Sequence, residues 1–181
     1  MKKNGLHLEK EHLARLLEAV QRCVFFLDAS VRKITWPLTG DFLSSQRTNV
    51  ELFETLSAIN ERFSKLQDSL GAAMRHGAIL SGETTNMFLK VLAFYEKIGV
   101  IESVDSWQLC RTSRNLAAHE YGIVYSEIAD HFNTLNELRP TLYSVSRRFY
   151  DFCASTLNVQ PVESEFSEVF LRVTEQFREN L

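Results

Sequence analysis

Apolar side chains return every third or fourth residue through almost the whole of this chain, and no stretch alternates them every second residue. A stripe with that period stays on one side of an α-helix and must be buried against another apolar surface, which confines the chain to packed helices. Leu13, Leu16, Val20, Val24, Leu27, Val31 and Ile34 predict a long first helix. Thr35 to Asn49, with Pro37, Gly40 and Ser44-Ser45, predicts a loop. Leu52, Leu56, Ile59, Phe63, Leu66, Leu70 and Ala73 predict a second helix, whose spacing suits an antiparallel neighbour crossing at a shallow angle.

Gly77 and Gly82 are expected to loosen the chain near Ser81, and Thr84 or Thr85 to cap a short helix carrying Met87, Val91, Phe94, Tyr95 and Ile98 and stopped by Gly99. Ser103 and Asp105 offer caps for a fourth helix that runs through Trp107, Cys110 and Arg114 and ends at Gly122. The apolar series from Ile128 to Phe152 predicts a fifth helix, kinked at Pro140, where a backbone donor is missing. After a linker at Asn158-Val159-Gln160-Pro161, the residues Phe166, Val169, Phe170, Val173 and Phe177 form the apolar face of a last helix, with glutamates mostly opposite. That helix packs on the bundle or on a partner chain. The expected fold is all-α: an up-down antiparallel helical bundle of four to five helices over residues 1–158, then a linker and an additional C-terminal amphipathic helix over residues 159–181.

Composition narrows the function classes. With 181 residues, 45% apolar, the chain is long enough to bury a sizeable core as one domain. Its three cysteines, Cys23, Cys110 and Cys153, are far apart and each lies in an apolar helical pattern, which predicts buried thiols in a reducing cytoplasm and neither a disulfide framework nor a metal site. No stretch approaches the apolar length of a membrane span, so a cytoplasmic protein without a membrane partner is expected. A net charge of −3 counts against a broad electrostatic embrace of nucleic acid, so any RNA contact must be local. Arg111 and Arg114, with Arg139, Arg147 and Arg148, are the candidate cations, although a solvated mixed-charge surface explains the last three equally well. His7, His12, His76 and His131 lack zinc-ligand spacing, and no Gly-rich phosphate loop occurs, so no metal or cofactor is expected.

Arg114-Asn115-Leu116-Ala117-Ala118-His119-Glu120-Tyr121 joins a fixed cation, a titratable base and a phenol within two helical turns. Cutting RNA without a metal requires a base for the neighbouring ribose hydroxyl, a proton donor for the leaving oxygen and a fixed positive charge on the phosphoryl group. His119 and Arg114 are of the right types, since imidazole titrates near neutrality and guanidinium offers paired hydrogen bonds to phosphate. On an ideal helix the two lie about 140° apart around the axis and about 7.5 Å along it, whereas Asn115 and His119 share a face. A cleft lined by two copies of the helix satisfies that geometry more easily than one copy does. The plain alternative is that Arg114 and His119 cap carbonyls at a helix C-terminus and that Tyr121 is an ordinary core aromatic.

The Arg, the polar residue after it, the His and the Tyr two residues further on resemble the signature of the HEPN superfamily, and in particular its HepT toxin branch, over roughly Leu13 to Leu157. The resemblance implies a metal-independent endoribonuclease toxin acting as a homodimer, with Arg114, Asn115 and His119 catalytic; Arg111, as local positive charge beside them, is the expected substrate contact. It also implies a cognate minimal nucleotidyltransferase antitoxin that silences the toxin by transferring AMP to Tyr121. Within the same superfamily, a non-catalytic nucleotide-binding or nucleotidyltransferase-docking subunit is the alternative.

Overall fold

The structure is a computed structural model that describes residues 2–116 and 124–177. Among them every regular element is helical: α1 (Lys2–Val31), α2 (Gly40–Ser45), α3 (Val50–Leu80), α4 (Phe88–Lys97), α5 (Val104–Leu116), α6 (Tyr125–Phe152), a turn of π-helix at Cys153–Leu157, and α7 (Ser167–Thr174) with a 3₁₀ turn at Glu175–Phe177. The all-α bundle follows the apolar period, with Leu13, Leu17, Val24 and Leu27 of α1 meeting Leu56, Phe63, Leu66 and Leu70 of α3 in one core.

Cross-helix bonds fix the directions. Glu9 meets His76, Cys23 meets Ser69, and Ser30 accepts from Arg62, so α1 and α3 run antiparallel along their length. Trp107 accepts from Gln67 at 2.9 Å while Arg114 reaches Ser64, which sets α5 antiparallel to α3. Asp28 with Arg139 and Lys10 with the Leu157 carbonyl set the α6 direction antiparallel to α1. The four long helices α1, α3, α5 and α6 therefore alternate up and down, and the end of α5, the start of α6 and the α1–α3 connection share one end of the bundle.

Several local expectations are corrected. The predicted 35–49 loop contains α2, because Leu38 and Leu43 are buried and Thr39 caps the turn by accepting from the Phe42 amide at 3.2 Å. Asn133 clamps this connection to α6, donating to the Leu38 carbonyl and accepting from the Leu38 amide. Gly77 does not loosen α3, which continues to Leu80. Its missing side chain is filled by Tyr95, whose hydroxyl donates to the Met74 carbonyl at 2.9 Å. The short helix begins at Phe88 with Met87 as its cap residue; Thr84 and Thr85 precede it, and the Thr85 carbonyl accepts from Arg75. Gly99, at φ +77°, ends α4 as expected. Ser103 caps α5 by accepting from the Ser106 amide, whereas Asp105 lies inside its first turn.

The C-terminal helix α7 packs on α1 and α6. Phe170 is fully buried, Ser167 donates to Gln21, and Arg147, itself 4% exposed, bonds to Asp151, the Leu171 carbonyl and Glu175. Arg139 pairs with Asp28 and lies over Tyr143, and Arg148 donates to the Gly99 carbonyl. These three arginines are neither a nucleic-acid patch nor a solvated surface: they tie helices together. No helix among the described residues is long and apolar enough to cross a membrane.

Two glycines of α3 make opposite forecasts. A Cβ at Gly77 would lie 2.5 Å from the Tyr95 hydroxyl and 3.2 Å from Phe149, so Gly77→Ala should cost roughly 1–3 kcal/mol through overpacking. A Cβ at Gly71 meets nothing closer than Phe88 at 3.4 Å, so Gly71→Ala should gain about 0.5–1 kcal/mol from the stiffer helix. Urea unfolding of both variants measures the two signs; equal effects would contradict this packing.

Candidate functional site

The site is built at the C-terminal half of α5. Trp107, Cys110 and Ser113 recur at three-residue steps and are buried against the bundle, so the helix presents Arg111 to solvent and turns Arg114 towards α3. Arg114 Nη1 donates to the Ser64 carbonyl at 2.8 Å and to Asp68 Oδ1 at 2.7 Å. Its side chain is 14% exposed, while that of Asp68 is 67% exposed. The guanidinium thus lies in the α3–α5 seam with one nitrogen committed. Nε and Nη2 have no hydrogen-bond partner among the described residues, and three N–H groups on that side of the fork match the paired geometry of a phosphate.

The backbone of Asn115 belongs to α5, and its side chain, like His119, Tyr121 and Gly122, lies outside the described residues. The structure therefore places Arg114 and Arg111 on the last turns of α5 and brings Arg114 together with Ser64 and Asp68 of α3, two residues that no sequence motif singled out. Their signal was faint: Ser64 and Asp68 are four apart on α3, as residues facing one neighbour must be, but many other pairs share that spacing.

Two further histidine settings appear that sequence spacing did not expose. On α6, His131 Nε2 lies 3.3 Å from Asn60 Oδ1 of α3, and its ring meets Phe132 edge-on. Burial holds this imidazole below the usual histidine range, favouring the neutral form. At the opposite end of the bundle His76 Nδ1 is 2.6 Å from Glu9 Oε2, and the His12 ring stands edge-on to His76 at 4.4 Å beside an open pocket of about 400 Å³. Among the described residues no group of three or more His, Cys, Asp or Glu is arranged to hold a metal ion.

The cysteines stand inside the helices as the apolar pattern predicts, although Cys23 is only half-buried. Burial raises all three thiols, Cys110 to about 11, so none is a ready thiolate near neutrality.

His131 gives a pH test. Its folded-state pKa is depressed, so the unfolded chain binds the proton more readily, and stability should fall as pH drops below the ordinary histidine value. His131→Gln keeps a donor towards Asn60 and removes the titration. The variant's midpoint of urea unfolding should change less than that of the natural chain on acidification through this range; parallel curves would contradict the buried, neutral assignment.

Comparison with models of known families, with curated proteins and with solved structures finds no match.

Proposed function

We propose that the chain is a metal-independent endoribonuclease toxin of the HEPN type, working as a homodimer in which Arg114 and His119 of two copies face one phosphodiester. The observation that carries the reading is the Arg114-Asn115 pair at the C-terminal end of α5 in an all-α up-down bundle, followed in the sequence by His119 and Tyr121. The half-committed guanidinium of Arg114 supports it, since a fork steadied on one nitrogen is preorganised for an anion on the other side.

In this mechanism neutral His119 of one copy takes the proton of the ribose hydroxyl next to the scissile phosphate. The freed oxygen attacks phosphorus, and the P–O bond to the next nucleotide breaks. Imidazolium of the second copy gives its proton to the departing oxygen, so acid and base have exchanged states and no water is consumed in this step. Arg114 holds the charge that gathers on the phosphoryl oxygens, Asn115 assists at the same phosphoryl group, and Arg111 takes a flanking phosphate. A minimal nucleotidyltransferase partner would silence the site by moving AMP from ATP to the Tyr121 hydroxyl, releasing pyrophosphate.

One observation favours a second reading, a non-catalytic subunit that binds nucleotide or docks the nucleotidyltransferase. The ion pair with Asp68 already neutralises Arg114 within the chain. The two readings diverge in cells. Expression of the natural chain should arrest bacterial growth, and His119→Ala should not; arrest that persists in the variant removes His119 from the chemistry.

Arg114 offers a quantitative check. Arg114→Lys keeps the charge and loses the fork, and should lower RNA cleavage by roughly 100-fold or more. Its folding stability should change by no more than about 1 kcal/mol, because Asp68 is largely in water. A lysine variant that cuts RNA at the natural rate would contradict the role. Co-expression with the nucleotidyltransferase should add one adenylate, located by peptide mass spectrometry at Tyr121; modification at another residue would overturn that assignment.

A further inference from the structure

On the face where α1 lies beside α3, two guanidinium groups crowd one partly exposed ring. Arg22 Cζ is 5.9 Å and Arg62 Cζ 5.4 Å from the centroid of Phe26, a side chain 36% exposed and braced edge-on by Phe25. Arg62 also donates to the Phe26 carbonyl at 3.0 Å and to the Ser30 hydroxyl. Lys65 joins them: with Arg22 and opposed by Glu61, it acts electrostatically on Cys23, which lies between the two helices next to Ser69. Arg22, Arg62 and Lys65 make no ion pair among the described residues, in contrast to Arg32, Arg114, Arg139 and Arg147. In a chain of net charge −3, two guanidiniums over one aromatic ring, with Lys65 acting beside Arg22 on the neighbouring thiol and opposed there by Glu61, form a local concentration of positive charge.

We propose that this strip binds single-stranded RNA, the phosphates resting on Arg22, Arg62 and Lys65 and the bases packing against Phe26 and the guanidiniums it supports. The choice of RNA as the polyanion rests on the nuclease reading above. The charge pattern fits a phosphate backbone, since both guanidiniums stand over one ring and present donors to neighbouring phosphates, and stacked aromatic and guanidinium surfaces accept any base. Position strengthens it. Lys65 adjoins Ser64 and stands three residues from Asp68, the two residues that hold Arg114 on the other flank of α3. A strand leaving Arg114 need only cross the outer face of α3 to reach Lys65, Arg62 and Arg22. The open groove further along α3 is lined by Glu54 and Glu61 with Arg47 as its one cation, so it carries no comparable excess of positive charge.

Fluorescence anisotropy with a short end-labelled single-stranded RNA tests this, on the His119→Ala background so that binding is read without cleavage. Arg22 and Lys65 are exposed and hold no hydrogen bond or ion pair among the described residues, so Arg22→Glu with Lys65→Glu should fold normally, checked by its thermal melting. The double reversal should weaken binding at least roughly tenfold and lower the salt dependence by about 0.7 in slope for each lost phosphate contact. Lys90→Glu with Lys97→Glu, exposed lysines of α4, makes the same change in net charge and should leave affinity within about twofold. Undiminished RNA binding by the strip variant, equal losses in both variants, or no RNA binding by the His119→Ala protein would each overturn the strip. So would a strip variant that keeps RNA and loses a co-expressed nucleotidyltransferase, which would assign the face to that protein. Cleavage by the natural chain is scored separately, so the strip and the nuclease reading fail independently.

Discussion

The seam between α1 and α3 is the constraint on which the rest depends. Two helices of 30 and 31 residues lie antiparallel and bury their apolar stripes in each other, and neither has another surface extensive enough to cover it. Because each stripe is narrow, the opposite face of α3 remains available to the other elements. α5 lays Trp107 and Arg114 along one flank, and α1 brings Arg22 and Phe26 to the other. The cation of the motif is thereby fixed against α3 through Ser64 and Asp68.

That arrangement explains why a chain with a net negative charge can still concentrate cations. Several of its arginines are consumed internally. Arg147 is buried and bridges α6 to α7, Arg139 spans α1 and α6, and Arg148 seals the end of α4. Removing one partner of the Arg147 cluster would leave a desolvated charge, which is why such groups act as anchors and not as contacts for a ligand. The cations left over stand at few places, and Arg22, Arg62 and Lys65 are together at one of them.

The order and core faces of every α-helix except α2 were legible in the sequence because a period of three to four apolar residues survives any packing detail. The positions of Leu13, Phe63, Tyr95, Trp107 and Phe149 in the core follow directly from it. Expectations failed where tertiary contact overrode local propensity. Gly77 stays helical because Tyr95 fills the space above it, and α2 forms among breakers because Leu43 has a core to enter. Thr84 and Thr85 have good capping chemistry, yet the helix starts later, at Phe88. For the site, the chain displayed the residue types, Arg114 with His119 and Tyr121, but not what surrounds them. Partners such as Ser64 and Asp68 come from a helix far away in sequence, and only folding reveals that the Arg114 fork is held on one side.

In the proposed chemistry, imidazole and guanidinium cut RNA without a metal, by attack of the ribose hydroxyl on its own phosphate. The most direct measurement is digestion of RNA by the purified chain in excess chelator, with the chemistry of the product ends determined. The expected result is undiminished cutting that leaves a cyclic phosphate, or the monophosphate from its hydrolysis, on the upstream fragment and a free hydroxyl on the downstream one. Cutting that vanishes with chelation, or downstream fragments that begin with phosphate, would contradict it.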